Sequence, residues 1–352
     1  MAFGKKHIIS DDIFTYNIGI IGESGIGKST LLKNFCEKTV GENGYIMLDI
    51  GKEDGHSAIN GIVSEQCPTF EKFEAVIKDI VANKETEYPD LRVVVIDTFD
   101  ELCQMAEGVI IRRWNEETAD AKNYREATSI KMVYGGYQGG EKEVVKMLLN
   151  MLWSLKEVGV SFMITGHTKT KNSTDPVTGE TYSMLSTNLD NVYFNAIRTK
   201  LHLLGVASID RDIIRTDTGK KNLKTGQAIM RGQVASQSRI ITFRDDNYTI
   251  DSKSRFSQIV DQIPLDADEL IKAMRDAIAH EKGKSTPEDE AIITLVNQIT
   301  EKAKTLFDGG LDREKFYGVV MEKCNTRQFT KVKNLRQLEA LWDAVKNMKV
   351  GA

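Results

Sequence analysis

Short apolar runs alternate with segments of helical periodicity through the first half of the chain. Apolar residues recur at helical spacing in residues 28–38, 69–83 and 141–157. Four runs between these segments have the length of strands, and the mostly β-branched run at 92–96 is typical of a strand buried on both faces; they are residues 17–21, 45–50, 92–96 and 160–165. Strands separated by helices predict crossover connections, so we expect an α/β fold with a mostly parallel central sheet.

The pattern changes after residue 165. Residues 169–188 are polar and contain two turn signals, Asp175-Pro176 and Thr178-Gly179, so we expect a loop there. Two later segments, 201–214 and 238–250, have the pattern of extended strands. The basic, glycine-containing stretch 216–227 between them predicts a mobile loop.

A domain boundary is expected near residues 281–285. Residues 286–289 form a helix start, because a hydroxyl at the cap position is followed by proline and two acidic residues. The remaining sequence has helical character. We therefore expect a core over residues 1–280 and a small all-helical C-terminal domain over 285–352.

The composition narrows the class of protein. The 352 residues carry a net charge of −4, so the chain as a whole does not attract nucleic acid or an anionic membrane. The four cysteines are scattered and form no C-x-x-C pair, which favours free thiols in a reducing compartment. The N-terminal residues lack a signal-peptide pattern, and no apolar run reaches the length of a membrane span. We expect a cytoplasmic protein without membrane contact.

A phosphate-binding loop is the strongest motif. Residues 22–29 match G-x-x-x-x-G-K-[ST], with an apolar strand before the loop and a helical pattern after it. Backbone N–H groups of such a loop surround phosphates, and its lysine reaches the β- and γ-phosphates. We expect ATP to bind here; the predicted contacts are Gly22, Glu23, Ser24, Gly25, Ile26, Gly27, Lys28, Ser29 and Thr30.

A magnesium site is predicted beside this loop. Asp97 ends the buried run at 92–96, where a P-loop enzyme holds Mg²⁺ together with the motif hydroxyl, which here belongs to Ser29. The alternative is that Asp97 only caps the next helix. Residue 98 is threonine, so the Asp-Glu pair of the AAA-plus class is missing and the catalytic base must come from elsewhere.

Two further residues are candidates for the catalytic step. Glu53 follows the second predicted strand, where a carboxylate can orient the attacking water; the alternative is a solvated loop charge, and Asp54, Asp100 and Glu101 are rivals. His167 ends the strand expected beside Asp97. It is predicted to sense the γ-phosphate, although a structural histidine is equally compatible with this position.

The order of these motifs resembles RecA-like ATPases, and it looks most like the phage-encoded, single-domain Sak-type recombination proteins. Residues 141–169, 253–256 and 263–266 carry that likeness, which covers about 16–279. The resemblance implies a RecA-like core that hydrolyses ATP to ADP and phosphate while binding and annealing single-stranded DNA. It also implies a homo-oligomer, either ring or filament, a single-strand-binding protein as a further partner, and the host cytoplasm as location.

The pair Lys253-x-Arg255 is similar to the lysine-x-arginine pair that RecA-like proteins insert into a neighbour's ATP site. Two cations there would neutralise charge that develops on the transferred phosphoryl group. The alternative is a solvated basic turn. If the resemblance holds, the protein works as an oligomer.

Contact with DNA is predicted from basic clusters with an aromatic residue nearby. The first cluster follows the sensor strand and the second lies in the later basic loop; they are Lys169, Lys171 and Tyr182, then Lys220, Lys221 and Lys224. A third lies near the C-terminus and comprises Arg327, Lys331, Lys333 and Arg336. Each cluster alone is more often a solvated surface. A small-molecule P-loop kinase and an ATP-dependent assembly clamp without significant turnover remain alternatives.

Overall fold

The computed structural model describes residues 9–52, 55–121, 124–175, 178–221, 228–245, 249–283, 287–332 and 334–348. For residues 212–221, 228–235, 287–290 and 331 only the backbone is described. Glu53, Asp54, Lys224 and Lys333 therefore lie outside the described residues.

The described part of the chain forms ten strands and nine α-helices. The strands are β1 (Ile18–Gly22), β2 (Tyr45–Ile50), β3 (Ser64–Cys67), β4 (Val93–Asp97), β5 (Ser161–Thr174), β6 (Thr181–Thr187), β7 (Leu203–Lys221), β8 (Ala228–Thr242), β9 (Lys253–Ser254) and β10 (Gln262–Pro264). The helices are α1 (Lys28–Val40), α2 (Phe70–Ala82), α3 (Phe99–Thr118), α4 (Gly139–Glu157), α5 (Asn191–Arg198), α6 (Ala267–Lys282), α7 (Pro287–Asp308), α8 (Arg313–Cys324) and α9 (Leu335–Val345).

The sheet is mostly parallel, as the alternating pattern predicts. Its order is β10-β8-β7-β1-β5-β4-β2-β3, and on this path β8 runs opposite to the other strands, because it pairs antiparallel with both β7 and β10. Every residue of β1 and β4 is buried. Removing a side chain such as that of Ile96 costs about 2–5 kcal/mol, so these central strands hold the residues at their ends firmly in place.

The register aligns the carboxyl ends of the central strands. Gly22 pairs with His167 of β5 on one side and with Ala207 of β7 on the other. Asp49 of β2 pairs with Asp97 of β4. Because ligands of parallel α/β sheets bind outside the carboxyl ends of strands, this edge is where a site is expected.

Two segments predicted as loops form β-ribbons instead. The polar stretch 169–188 continues β5 to Thr174 and returns as β6, so its turn signals mark one hairpin turn rather than a long loop. Likewise β7 continues to Lys221, so residues 216–221, the first half of the predicted loop 216–227, belong to a strand. Residues 222–227 lie outside the described ranges. Antiparallel pairing satisfies backbone N–H and C=O groups that an open loop would leave to water.

The chain divides into two compact units. One comprises Asp12–Ala277, and the other comprises Met1–Asp11 with Ile278–Ala352. The second unit has its own apolar core, in which Phe316 packs against Phe307 and Phe329 with ring centroids 5.3 and 6.1 Å apart. Its three helices α7 to α9 agree with the helical character expected there, whereas the domain boundaries at 280 and 285 stay predictions. None of the helices in the described ranges combines the length and the apolar content needed to cross a bilayer.

Candidate nucleotide site

The loop between β1 and α1 has the backbone that its glycines permit. Gly25 and Gly27 have φ angles of 73° and 111°, in the left-handed region that favours glycine. Gly27 is the N-cap of α1, and no side chain caps this helix end. The first turn of α1 also contains no acidic residue. Its N–H groups are therefore suited to an anion at the positive end of the helix.

Lys28 places its charge over this loop. The side chain is buried, and its Nζ donates hydrogen bonds of 3.0 Å to the carbonyl oxygens of Gly22 and Glu23. Carbonyl oxygens carry no full negative charge, so a phosphate beside Nζ would stabilise this buried ammonium further. The lysine therefore fits its predicted role.

Asp97 and Ser29 meet as the sequence predicts. Ser29 Oγ donates a hydrogen bond of 2.5 Å to Asp97 Oδ2, and Thr165 Oγ1 donates to Asp97 Oδ1. The N-cap of α3 is Thr98 rather than Asp97, so the carboxylate faces the phosphate loop instead of capping the helix. Burial would raise the pKa of Asp97, but hydrogen bonds from His56, Ser29 and Thr165 hold it below its ordinary value.

These two oxygen ligands fit magnesium. Mg²⁺ is held by one or two protein oxygens together with substrate phosphates rather than by a cage of side chains. Within the described ranges no group of three or more His, Cys, Asp or Glu residues could hold a metal by itself. A cation at Ser29 and Asp97 would accordingly share its ligand shell with the nucleotide.

His56 belongs to the site although the sequence did not identify it. It lies in a 3₁₀ turn, Gly55–Ala58, shortly after β2, and its Nε2 is 3.0 Å from Asp97 Oδ2. Burial lowers the pKa of His56, but the hydrogen bond and the charge of Asp97 outweigh it and raise the pKa above its ordinary value. A divalent cation and His56 would thus compete for the same carboxylate oxygen.

His167 is held by a second buried carboxylate. Its Nδ1 is 2.7 Å from Oδ2 of Asp100, in the first turn of α3. Burial raises the pKa of Asp100, but the bond to His167 and the charge of that ring outweigh it and lower the pKa. Asp100 therefore orients the imidazole, as second carboxylates commonly do. Glu101, another rival base, lies close to Gly51 at the end of β2, because its Oε2 is 3.2 Å from the position that a Cβ atom on Gly51 would take.

These side chains line one cavity of about 230 Å³. It is bounded by Ser24, Gly25, Gly27, Lys28, Ser29, Thr30, Asp49, Gly55, His56, Ile59, Asp97, Thr98 and His167. A larger hollow of about 750 Å³ lies elsewhere, near β2 and α2, and is lined by several acidic side chains. The smaller cavity is the better candidate site, because the N-terminus of α1, the buried Lys28 and the hydrogen-bonded carboxylate of Asp97 meet there.

Residues 15–256 match the model of a family described as AAA domain. The chain belongs to this AAA domain family. The family is one of nucleotide-binding P-loop ATPases, and membership agrees with the α/β architecture and with the loop at Gly22–Thr30. No functionally curated protein shows a significant match to the chain. Within this AAA domain chain, Thr98 stands where the AAA-plus class carries glutamate, so residue 98 supplies no carboxylate base.

The predicted lysine–arginine pair lies near the amino end of β7, whereas the nucleotide site lies at the carboxyl ends of the strands. β9 pairs with the first residues of β7, and the Arg255 backbone N–H donates to His202 O just before that strand. Lys253 Nζ donates to Arg198 O and to Leu201 O, the latter at 3.0 Å, and Arg255 Nη2 donates to Thr199 O. The pair therefore satisfies carbonyl groups at the C-terminus of α5, an intrachain role that the sequence did not predict.

The first predicted DNA cluster comes together on one ribbon. In the β5–β6 pairing, Lys169 lies opposite Ser186, Lys171 opposite Met184, and Tyr182 opposite Ser173. Residues two apart on a strand, and residues directly opposite, share a face. Lys169, Lys171 and Tyr182 thus line a single face. Burial, and then the charge of Lys169, lower the pKa of Lys171.

The other two clusters are described only in part. Lys220 and Lys221 end β7, but only their backbone is described, and Lys224 lies outside the described ranges. In the C-terminal unit, Arg327 forms an ion pair with Glu314 at 2.7 Å, which reduces its availability for a phosphate. Arg336 lies in α9. Only the backbone of Lys331 is described, and Lys333 lies outside the described residues.

Proposed function

We propose that this protein hydrolyses ATP to ADP and phosphate with Mg²⁺ and couples the nucleotide state to binding and annealing of single-stranded DNA, as a homo-oligomer in the cytoplasm. The observation that supports coupling between the nucleotide site and DNA binding is that β5 is one continuous strand. This strand passes from His167 in the cavity directly to Lys169 and Lys171 on the ribbon. A shift at the phosphate end of β5 is therefore transmitted to the basic face without an intervening joint.

The residues of the cavity have different roles in binding phosphate, holding the cation and orienting the attacking water. Lys28 and the N–H groups of the loop hold the phosphates, and Ser29 and Asp97 hold the cation, which neutralises phosphate charge when bound. Thr165 fixes Asp97 from the opposite oxygen. Glu53 orients the attacking water, and His167, held by Asp100, responds to the γ-phosphate.

The basic ribbon supplies the chemistry that single-strand binding needs. Two lysines spaced two residues apart along a strand are separated by about 7 Å, which is close to the spacing of successive phosphates in an extended single strand. Tyr182 is half-buried on the same face, and an aromatic ring beside the two lysines is suited to stacking on a base. Because the net charge of the chain is −4, binding depends on such local patches.

We expect the double variant Lys169→Ala/Lys171→Ala to bind single-stranded DNA more weakly and to lose stimulation of ATP turnover by DNA. Each lysine that neutralises a phosphate contributes about 0.7 to the slope of log affinity against log salt, so the slope should fall by roughly 1.4. The measurement is fluorescence anisotropy with an oligonucleotide over a salt series, together with phosphate release.

Lys142→Ala/Lys146→Ala is the matched control, because these two exposed lysines lie on α4. Equal salt slopes for the two double variants would contradict the assignment of the ribbon. Turnover that responds to a small-molecule acceptor but not to DNA would favour the kinase. Tight ATP binding with almost no turnover would favour the assembly clamp. Annealing is tested separately with complementary oligonucleotides.

We expect Glu53→Gln to retain ATP binding and to slow hydrolysis by about two orders of magnitude, since a water-orienting group contributes that much. Asp100→Asn should reduce turnover less, because Asp100 acts through the imidazole of His167. Single-turnover hydrolysis with nucleotide binding measured in parallel separates these effects. If Asp100→Asn shows the larger loss while Glu53→Gln is near wild type, the base is the Asp100–His167 pair.

A further inference from the structure

An arginine from the antiparallel side of the sheet reaches the phosphate loop. A methyl group placed on Gly27 would lie 3.7 Å from Nη1 of Arg239 and 3.4 Å from Cδ2 of Leu265. The two residues are linked, because Leu265 N–H donates to Arg239 O at 2.9 Å. A planar cation and an apolar side chain thus flank the glycine at the start of α1.

The sheet order shows which end of the nucleotide they face. Asp97 and His167 lie on β4 and β5, to one side of β1, and mark the γ-phosphate end of the site. Arg239 lies on β8, two strands from β1 on the other side. A triphosphate that has its γ-phosphate beside Asp97 must extend its nucleoside away from β4 and β5, toward Arg239 and Leu265.

The side chain of Arg239 is accessible to a ligand. It is exposed, and in the described part of the chain no carboxylate pairs with its guanidinium. By comparison, Arg198 and Arg92 are paired with Asp251 and Asp12. An exposed arginine beside a phosphate loop combines a planar surface for stacking with a positive charge.

We propose that Arg239 stacks on the base of the bound purine nucleotide, with Leu265 forming the apolar side of the same base pocket. The choice of base over α-phosphate follows from Leu265, because an apolar side chain complements an aromatic ring and not a phosphate. The proposal rests on the ATP binding contained in the proposed function and assigns the nucleoside end of that site.

The test compares MgATP with inorganic tripolyphosphate, which has the phosphate chain but no nucleoside, by calorimetric titration without DNA. We expect Arg239→Ala to weaken ATP binding by about tenfold, the usual loss when a stacking partner is removed, and to leave tripolyphosphate binding unchanged. Arg239→Lys should be as weak as the alanine variant, because lysine keeps the charge but not the plane.

Arg275→Ala, an exposed arginine on α6, is the matched control and should bind both ligands normally. Equal weakening of both ligands, or recovery of ATP affinity in Arg239→Lys, would show a phosphate contact and overturn the stacking. No change for ATP would overturn the proposal altogether. Lys28→Ala should lose both ligands, so failure of the phosphate loop itself is distinguishable from failure of the base pocket. Each variant's unfolding midpoint without ligand verifies its fold.

Discussion

Lys28→Ala is expected to abolish tight ATP binding and turnover. The ammonium is buried in the loop and donates hydrogen bonds to the carbonyl oxygens of Gly22 and Glu23, so its charge lies where the phosphates of a nucleotide are expected. Removing one partner of a buried charge pair costs several kcal/mol, which weakens binding by about a hundredfold or more. Calorimetric titration with MgATP and a phosphate-release assay measure the two losses.

The matched control is Lys33→Ala on the same helix. Lys33 forms an i,i+4 ion pair with Glu37 at 3.0 Å, and such a pair contributes only a few tenths of a kcal/mol. It should therefore bind and hydrolyse ATP normally. Wild-type turnover in Lys28→Ala, with an unchanged unfolding profile, would remove the phosphate loop from the mechanism.

The fold could be predicted because the central strands are recognisable from their own sequences. Residues 93–96 are apolar throughout, as is typical of a strand that is covered on both faces. The helical repeats between such runs then require parallel crossovers. The ribbons were harder to predict, since the second half of β5 is mostly polar and has no buried residue. Their pairing depends on a partner strand, which local composition does not specify.

Some residues of the site could likewise be predicted from the sequence, and others could not. Gly27, Lys28 and Ser29 are adjacent in sequence, and their spacing alone predicts phosphate binding. Asp97 is distant, but its place at the end of a buried strand predicts the meeting with Ser29. His56 could not be predicted, because its contact with Asp97 depends on how the loop after β2 folds back.

The position of Arg239 beside the phosphate loop was even harder to predict from the sequence than that of His56. It belongs to an antiparallel strand that is remote from the motif, and no spacing rule connects a residue on β8 with Gly27. Thr165 and Asp100 also act through contacts that only the folded sheet creates. Sequence motifs thus identify the groups that hold phosphate, whereas the groups that orient those side chains emerge from packing.

The position of Lys253 and Arg255 decides how they could act on ATP. Arg255 is hydrogen-bonded next to the start of β7, whereas the phosphate loop begins at the level of Ala207, about 13 Å along the strands. The pair therefore lies at the edge opposite its own nucleotide site. If it acts as an arginine finger, it must act on a neighbouring subunit, as the resemblance to RecA-like ATPases implies.

The intrachain contacts of the pair complicate a simple substitution. Arg255→Ala also removes a hydrogen bond to the carbonyl of Thr199 at the end of α5. Arg198→Ala is a suitable control, because Arg198 lies at the same helix end and is paired with Asp251 at 3.0 Å. A loss of turnover that comes only from loosening α5 should appear in both variants.

We expect Arg255→Ala to keep its nucleotide affinity and to lose turnover by on the order of a thousandfold, the loss seen when a charge that stabilises the phosphoryl transition state is removed. The decisive measurement mixes Arg255→Ala with Lys28→Ala protein, each inactive alone. In a mixed oligomer, an intact phosphate loop in an Arg255→Ala subunit meets an intact finger from a Lys28→Ala neighbour, so part of the activity should return. A cis-acting or purely structural arginine cannot be complemented in this way, because every subunit then lacks one of the two groups that it needs. If both variants oligomerise and mixing restores nothing, Lys253 and Arg255 serve only to hold the end of α5.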